Sequence, residues 1–231
     1  MTNSQFELAK PCFDIGYFTN NADAMLSFWR EEIGLPFEEP VAFNNGLTQH
    51  RHALGDSVIK INTSANEIAA PATGYSELLV AKPNCKATES IIDPDGNVIV
   101  FVPPGTHGID EIGVRLRVRD VLAHQEFFCK AMKFEQLSAQ TFRSGNSIIL
   151  LEHDAKARNA GHWVNLGLRY ITLHVMRVDE CFNTMIAAGA GVGEEPYSIE
   201  KIARISFVRD PDGNWIEVAQ RASLAGGWWE D

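Results

Sequence analysis

Five residues in the second half of the chain, Arg115, Arg117, Tyr170, His174 and Glu217, are of types that bind or activate oxygenated molecules. A His and a carboxylate can hold a divalent cation or move a proton, and guanidinium forks match carboxylates and other anions. Strand parity gathers them. Val114, Leu116 and Val118 alternate with the two arginines, Ile171, Leu173 and Val175 alternate with Tyr170, Thr172 and His174, and Ile216 and Val218 flank Glu217. If each apolar set lies beneath helices, each polar set turns to the opposite face. The bland alternatives are a His-Glu hydrogen-bonded pair in a polar cavity, and arginines neutralised by Glu217 or other internal acids.

The first half offers a second set. Asp14, Gly16 and Phe18 alternate with Phe13, Ile15 and Tyr17, and Lys60 and Asn62 alternate with Ile59 and Ile61, which puts a lysine on an inward face. The preceding strand, TQHRHALGD, is ambiguous. One residue in the hairpin at 54–57 decides whether His50 and His52, or Arg51, share the face of Lys60. With the histidines inward, Glu77 would complete the composition of a facial metal triad, although His-x-His on an edge strand is more often solvated. With Arg51 inward, the face becomes a cationic pocket beside Lys60.

These residues sit on repeated elements. KATESIIDPDGNVIVFVPP and KIARISFVRDPDGNWIEVAQ read almost alike, each a strand, a DPDGN turn and a second strand. Pro pre-sets φ and Gly supplies a positive φ, so the pentapeptide is a turn first and chemistry second. IGYFTNNADAMLSFWREEIGLPFEE and VRLRVRDVLAHQEFFCKAMKFEQL also correspond, as a strand, a helix ending in two aromatics and a new strand. The chain parses into four units, 12–63, 74–103, 110–153 and 167–220. Residues 178–188 predict a helix in the fourth unit, whereas AKPNC leaves the second too short for one.

Composition narrows the function classes. The 231 residues carry 20 Lys plus Arg against 30 Asp plus Glu, a net charge of −10 that argues against nucleic acid as a partner. No apolar run approaches the roughly 20 residues of a membrane span. The N-terminus lacks a targeting pattern and the four cysteines show no metal or disulfide spacing, so a cytoplasmic protein with reduced thiols is expected.

With these motifs the chain resembles the vicinal oxygen chelate superfamily of glyoxalases, bleomycin-resistance proteins and extradiol dioxygenases. The most specific segment is ISFVRDPDGNWIEV, where Glu217 occupies the carboxylate position three residues beyond the turn's Asn. The resemblance implies an α+β fold of four βαβββ-type units paired into two tandem cup-shaped barrels, the second unit lacking its helix. The expected division is 1–105 for units 1 and 2 and 106–231 for units 3 and 4, as a monomer or homodimer. It also implies a divalent metal (Fe, Zn, Mn or Ni) held by His, Gln or Glu from the first and last strand of each unit. Here the pattern is incomplete. Tyr170 rather than His174 falls at the usual slot, while Gly113 and Leu150 fill those of unit 3.

The expected function is a metal-assisted lyase, isomerase or dioxygenase acting on a small oxygenated molecule by stabilising an enolate or phenolate. Its catalytic residues would be His174, Glu217 and Tyr170, and its substrate contacts Arg115, Arg117 and Lys60. Metal ligands would be Glu217 and His174, or else His50, His52 and Glu77. The competing expectation is a metal-free protein of the same fold that sequesters a small molecule.

Overall fold

A computed structural model of the chain describes residues 5–43, 46–157 and 160–227. Unit 1 holds β1 (Asp14–Thr19), α1 (Ala22–Ser27), β2 (Val41–Ala42), β3 (Leu47–Leu54) and β4 (Ser57–Ser64). Unit 2 holds β5 (Tyr75–Ala81), β6 (Glu89–Ile92) and β7 (Val98–Val102) and, as expected, no helix. Unit 3 follows with β8 (Ile112–Val118), α2 (Val121–Glu126), β9 (Glu135–Ser138), β10 (Thr141–Ser144) and β11 (Ser147–His153). Unit 4 comprises β12 (Gly167–His174), α3 (Val178–Ala187), β13 (Gly191–Ile199), β14 (Ala203–Arg209) and β15 (Trp215–Arg221). No helix among the described residues is long and apolar enough to cross a membrane.

Local chemistry sets the helices. The Asp120 carboxylate caps α2 by accepting from the Ala123 amide, and α3 stops at Gly189, whose φ of 99° few side chains tolerate. Helices α1 and α2 each continue into a π-helical turn, Phe28–Glu32 and Phe127–Ala131. The repeated aromatic pairs sit there. Phe28 and Trp29 meet edge to face at 5.3 Å, as Phe127 and Phe128 do at 5.1 Å, and all four rings are buried. The wider turn lets two successive large side chains reach one core.

Strand pairing corrects the expected partnership of units. One sheet runs β13-β14-β15-β12-β1-β4-β3-β2 and the other β6-β7-β5-β8-β11-β10-β9. Unit 1 thus shares its cup with unit 4, and unit 2 with unit 3, so a division at 105/106 does not follow the sheets. The joints are antiparallel pairs of first strands, β1 with β12 and β5 with β8. Backbone hydrogen bonds make these joints, and the faces of a first strand are the same whichever partner it takes. Both sheets send their apolar sets into one core around the helices, with Ile15, Ile59, Ile171 and Ile216 from the first and Leu78, Val114, Leu116 and Ile149 from the second.

The two DPDGN turns are built alike. Asp93 accepts from the amides of Asp95 and Asn97 and from the Asn97 side chain at 2.8–3.0 Å, and Asp210 does the same for Asp212 and Asn214 at 2.8–2.9 Å. Each turn then fastens a neighbour: Asn97 Oδ1 accepts from the Leu168 amide and Asn214 Oδ1 from the Gly74 amide. Their role is structural.

Unit 3 holds the second turn from the other side. Arg119 pairs with Asp212 at 2.7 Å, and the buried His124 places Nδ1 2.8 Å from the Asp120 carbonyl and Nε2 3.1 Å from Asp210 Oδ2. Both partners are acceptors, which favours the doubly protonated ring. Burial opposes that charge, yet the hydrogen bond and negative charge of Asp210, with help from Asp120 and Asp212, raise the imidazole pKa above its ordinary 6.5. A raised value contributes stability that is complete below the ordinary pKa and lost as pH climbs through the folded-state value. Urea midpoints should therefore fall between pH 6 and pH 9, and His124→Leu should flatten that part of the profile; an unchanged profile would refute the charged-ring assignment.

Candidate functional site

The cup of units 1 and 4 has a charged floor. Lys60 Nζ donates to Glu217 Oε2 and to Thr172 Oγ1, both at 2.7 Å, while the Thr172 hydroxyl donates to Glu217 at 2.5 Å. Asp14 Oδ2 lies 3.9 Å from the same ammonium and accepts from His174 Nε2 at 2.7 Å. The other Asp14 oxygen is taken by Lys10 at 2.5 Å and the Val58 amide at 3.0 Å. Lys60, Asp14, His174 and Glu217 are all buried.

Electrostatics follow from this closure. Burial pulls the Lys60 pKa down against the support of Glu217 and Asp14. Burial would raise both carboxyls, but His174, Lys60 and Lys10 hold Asp14, and Lys60 and Thr172 hold Glu217, below the ordinary carboxylate range. His174 is lowered by burial despite Asp14, which leaves a neutral ring whose Nε2–H faces the carboxylate. Burial also pushes the Tyr170 phenol up, so it stays protonated. Its ring lies directly over Gly16, where a Cβ would fall 2.1 Å from the ring atoms. Only glycine fits there.

Above the floor lies an aromatic wall. Trp163 stacks on Phe207 at 4.7 Å, and Tyr170 meets both rings edge to face at 6.0 and 5.9 Å. Trp163 Nε1 is fixed by Glu194 at 2.7 Å. A cavity of ≈ 300 Å³ runs along this wall past Phe43, Leu47, Tyr197 and Ile205 to Glu217. It adjoins a smaller space of ≈ 110 Å³ bordered by Arg51, Lys60, His174 and Arg221.

The cup of units 2 and 3 is filled instead. Leu79, Val100, Val102, Ile148 and Leu150 pack around Ile109 from the preceding loop, and a Cβ on Gly113 would lie 2.8 Å from the Ile109 side chain. Arg115 bonds Glu77 at 2.7 Å, and Arg117 lies 3.6 Å from Glu152. The parity assigned to the arginines is the observed one, with side chains 26% and 48% exposed, but Glu77 and Glu152 pair with them and they are in the other cup from Tyr170, His174 and Glu217.

The structure resolves the ambiguous strand in favour of Arg51, which pairs across from Lys60 on the cup face. His50 and His52 turn to the helix side, where Arg30 reaches their ring nitrogens at 3.4 and 3.2 Å. Burial, then Arg30, lowers both, His52 to about 4. With Glu77 in the other sheet, His50, His52 and Glu77 do not assemble. Asp14, Gln49, Trp163, Thr172, Phe207 and Arg221 are among the cup residues to which sequence reading gave no role. Arg221 had a signal, because Trp215, Glu217, Ala219 and Arg221 alternate on one face of β15.

The residues do not fit a divalent ion. The first and last strands of this cup are β1, β4, β12 and β15, and where they converge stands the Lys60 ammonium with the oxygens of Asp14 and Glu217 already engaged. A dication about 4 Å from an ammonium would be repelled by about 8 kcal/mol at an effective dielectric of about 20. Elsewhere, Cys12, Asp56 and Glu111 have ligand atoms within 4.8 Å of one another. They share no residue with either cup, and burial followed by Glu111 pushes the Cys12 thiol up to about 12.

Sequence and fold comparisons agree with this architecture. Residues 108–218 match the sequence model of the Glyoxalase/Bleomycin resistance protein/Dioxygenase superfamily. Glyoxalase I from Zea mays superposes with a TM-score of 0.71 at 13% identity, over 90% of this chain and 92% of its own. The cppA protein from Streptococcus pneumoniae TIGR4 superposes with a TM-score of 0.52 at 8% identity, over 93% of this chain and 100% of its own. At these identities the likeness is one of fold. Among curated proteins none matches at a significant level. Units 3 and 4 are thus matched in sequence to the Glyoxalase/Bleomycin resistance protein/Dioxygenase superfamily, and the chain along its length shares the fold of glyoxalase I.

Proposed function

We propose that the cup of units 1 and 4 is a metal-free binding site for a small, mainly apolar organic molecule. The carrying observation is the Lys60 ammonium, 2.7 Å from Glu217 and 3.9 Å from Asp14, on the strands from which the family draws its metal ligands. Charge balance in the floor is achieved without an ion. An enzyme that stabilises an enolate on a divalent metal is correspondingly less well supported, and Glu217, held ionised by Lys60 and Thr172, is a weak base. His174, Glu217, Tyr170 and Lys60 act in this reading as a fixed polar floor that orients the ligand against the Trp163, Tyr170 and Phe207 wall. Four free thiols agree with a reducing compartment such as the cytoplasm.

Elemental analysis of protein purified without chelators should find well under one equivalent of any transition metal. Titration with the neutral fluorophore N-phenyl-1-naphthylamine should give saturable binding that EDTA leaves unchanged. One tightly held equivalent of metal, lost together with binding on chelation, would reject the proposal.

A further inference from the structure

We infer that the ligand of this cup carries an anionic group, of carboxylate or sulfonate type, received by Arg221 and Arg51 while its apolar body lies along the aromatic wall. The inference rests on reading the cup as a ligand site and specifies the ligand's charge.

Arg221 closes β15 on the face of Glu217 and Ala219, lining the same space as Arg51 and Lys60. Its guanidinium has no hydrogen-bond or ion-pair partner among the described residues. The charges on that lining are Arg51, Lys60 and Arg221 against Glu217 alone, since His174 is neutral there. A protein of net charge −10 has concentrated cations in one pocket. Lys60 is largely committed, because Glu217 and Thr172 take two of its three donors and Asp14 lies 3.9 Å from the ammonium. Arg51 is partly engaged: Nε bonds Glu38, whose side chain is 60% exposed, and Nη1 reaches Gln49 at 3.3 Å. Its remaining Nη2 and the whole fork of Arg221 are left as donors.

The surroundings make these donors effective. Ile199, Ile202, Ala203 and Ile205 complete the wall, so a bound ligand would displace water from an apolar rim and strengthen a charge-assisted bond. Burial, then the nearby charge of Arg51, weakens the hold of Arg221 on its proton. An anion between the two guanidinium groups relieves that repulsion, whereas a neutral ligand leaves it in place.

The test compares 8-anilino-1-naphthalenesulfonate with N-phenyl-1-naphthylamine, one ring system with and without an anion, by fluorescence titration backed by calorimetric stoichiometry. The sulfonate should bind about tenfold more tightly or better at low salt, the effect of a charge-assisted hydrogen bond. Arg221→Gln should remove that preference by weakening the sulfonate about tenfold more than the neutral probe, and added salt should weaken the sulfonate alone. Arg221 has no hydrogen bond or ion pair among the described residues to lose, so the variant should keep its melting temperature. Equal affinities of the two probes, or a preference surviving both Arg221→Gln and Arg51→Gln, would overturn the anion inference while the cup stands as a binding site. Failure of both probes to bind the unmodified protein would overturn the binding-site reading and this one with it.

Discussion

Replacing Lys60 by Met should cost about 3–5 kcal/mol of stability, because one partner of a buried charge network disappears and the others stay. Met keeps most of the stem's volume, so little of the loss would come from a cavity. Glu217 and Asp14 would face each other across the cup floor with Thr172 and His174 as hydrogen-bond donors and without the shared cation. The Lys60→Met/Glu217→Gln double variant should recover much of the loss, and the non-additive part measures the coupling of the pair. pH dependence separates this account from simple misfolding. With Lys60 present, the lowered Glu217 pKa contributes stability above the ordinary carboxyl value and loses it as pH falls through the folded one. Without Lys60, burial dominates and raises that carboxyl, so the single variant should become more stable as pH falls. Urea midpoints between pH 4.5 and 8 decide this. A single variant within about 1 kcal/mol of the parent, a loss typical of a surface change, would mean that the ammonium is not the centre of the floor.

Arg169→Met should be as damaging, again by about 3–5 kcal/mol, since each buried acceptor left without a donor costs about 1–3 kcal/mol. Arg169 on β12 is wholly buried, and its guanidinium bonds the carbonyls of Pro71, Ala160 and His162. No carboxylate faces it in these bonds, and burial pulls its pKa down to about 10. It ties two connecting segments, one before β5 and one before β12, to β12 itself. Trp163 follows directly on the second of these, so loss of the anchor should also weaken N-phenyl-1-naphthylamine binding although Arg169 touches neither cavity. Lysine would carry the charge but cannot spread it over three carbonyls, and Arg169→Lys should rescue only part of the stability. Amide exchange at 160–165 should rise in step. Unchanged exchange there, with a stability loss below about 1 kcal/mol, would remove Arg169 from this role.

Several features follow from the amino-acid sequence alone. Alternation of Ile59 and Ile61 with Lys60 and Asn62, and of Ile171 and Leu173 with Tyr170 and Thr172, assigns strand faces without knowledge of neighbours, because a strand has period two and one face must be apolar. The DPDGN turns form through bonds within five residues, so both are legible locally, as is the missing helix of unit 2, whose segment is too short. Resemblance then supplies the superfamily. Tertiary structure alone decides which units share a cup. Pairing β1 with β12 unites Asp14 and Lys60 with Thr172, His174 and Glu217, through hydrogen-bonded pairs 112 to 160 positions apart, and sends Arg115 and Arg117 to the other sheet with Glu77. Such joints are made by backbone amides and carbonyls, which every residue but proline carries alike. Register in β3 was equally out of reach, since a one-residue difference in a hairpin exchanges Arg51 for His50 and His52 on the cup face, and only the completed ladder to β4 selects between them.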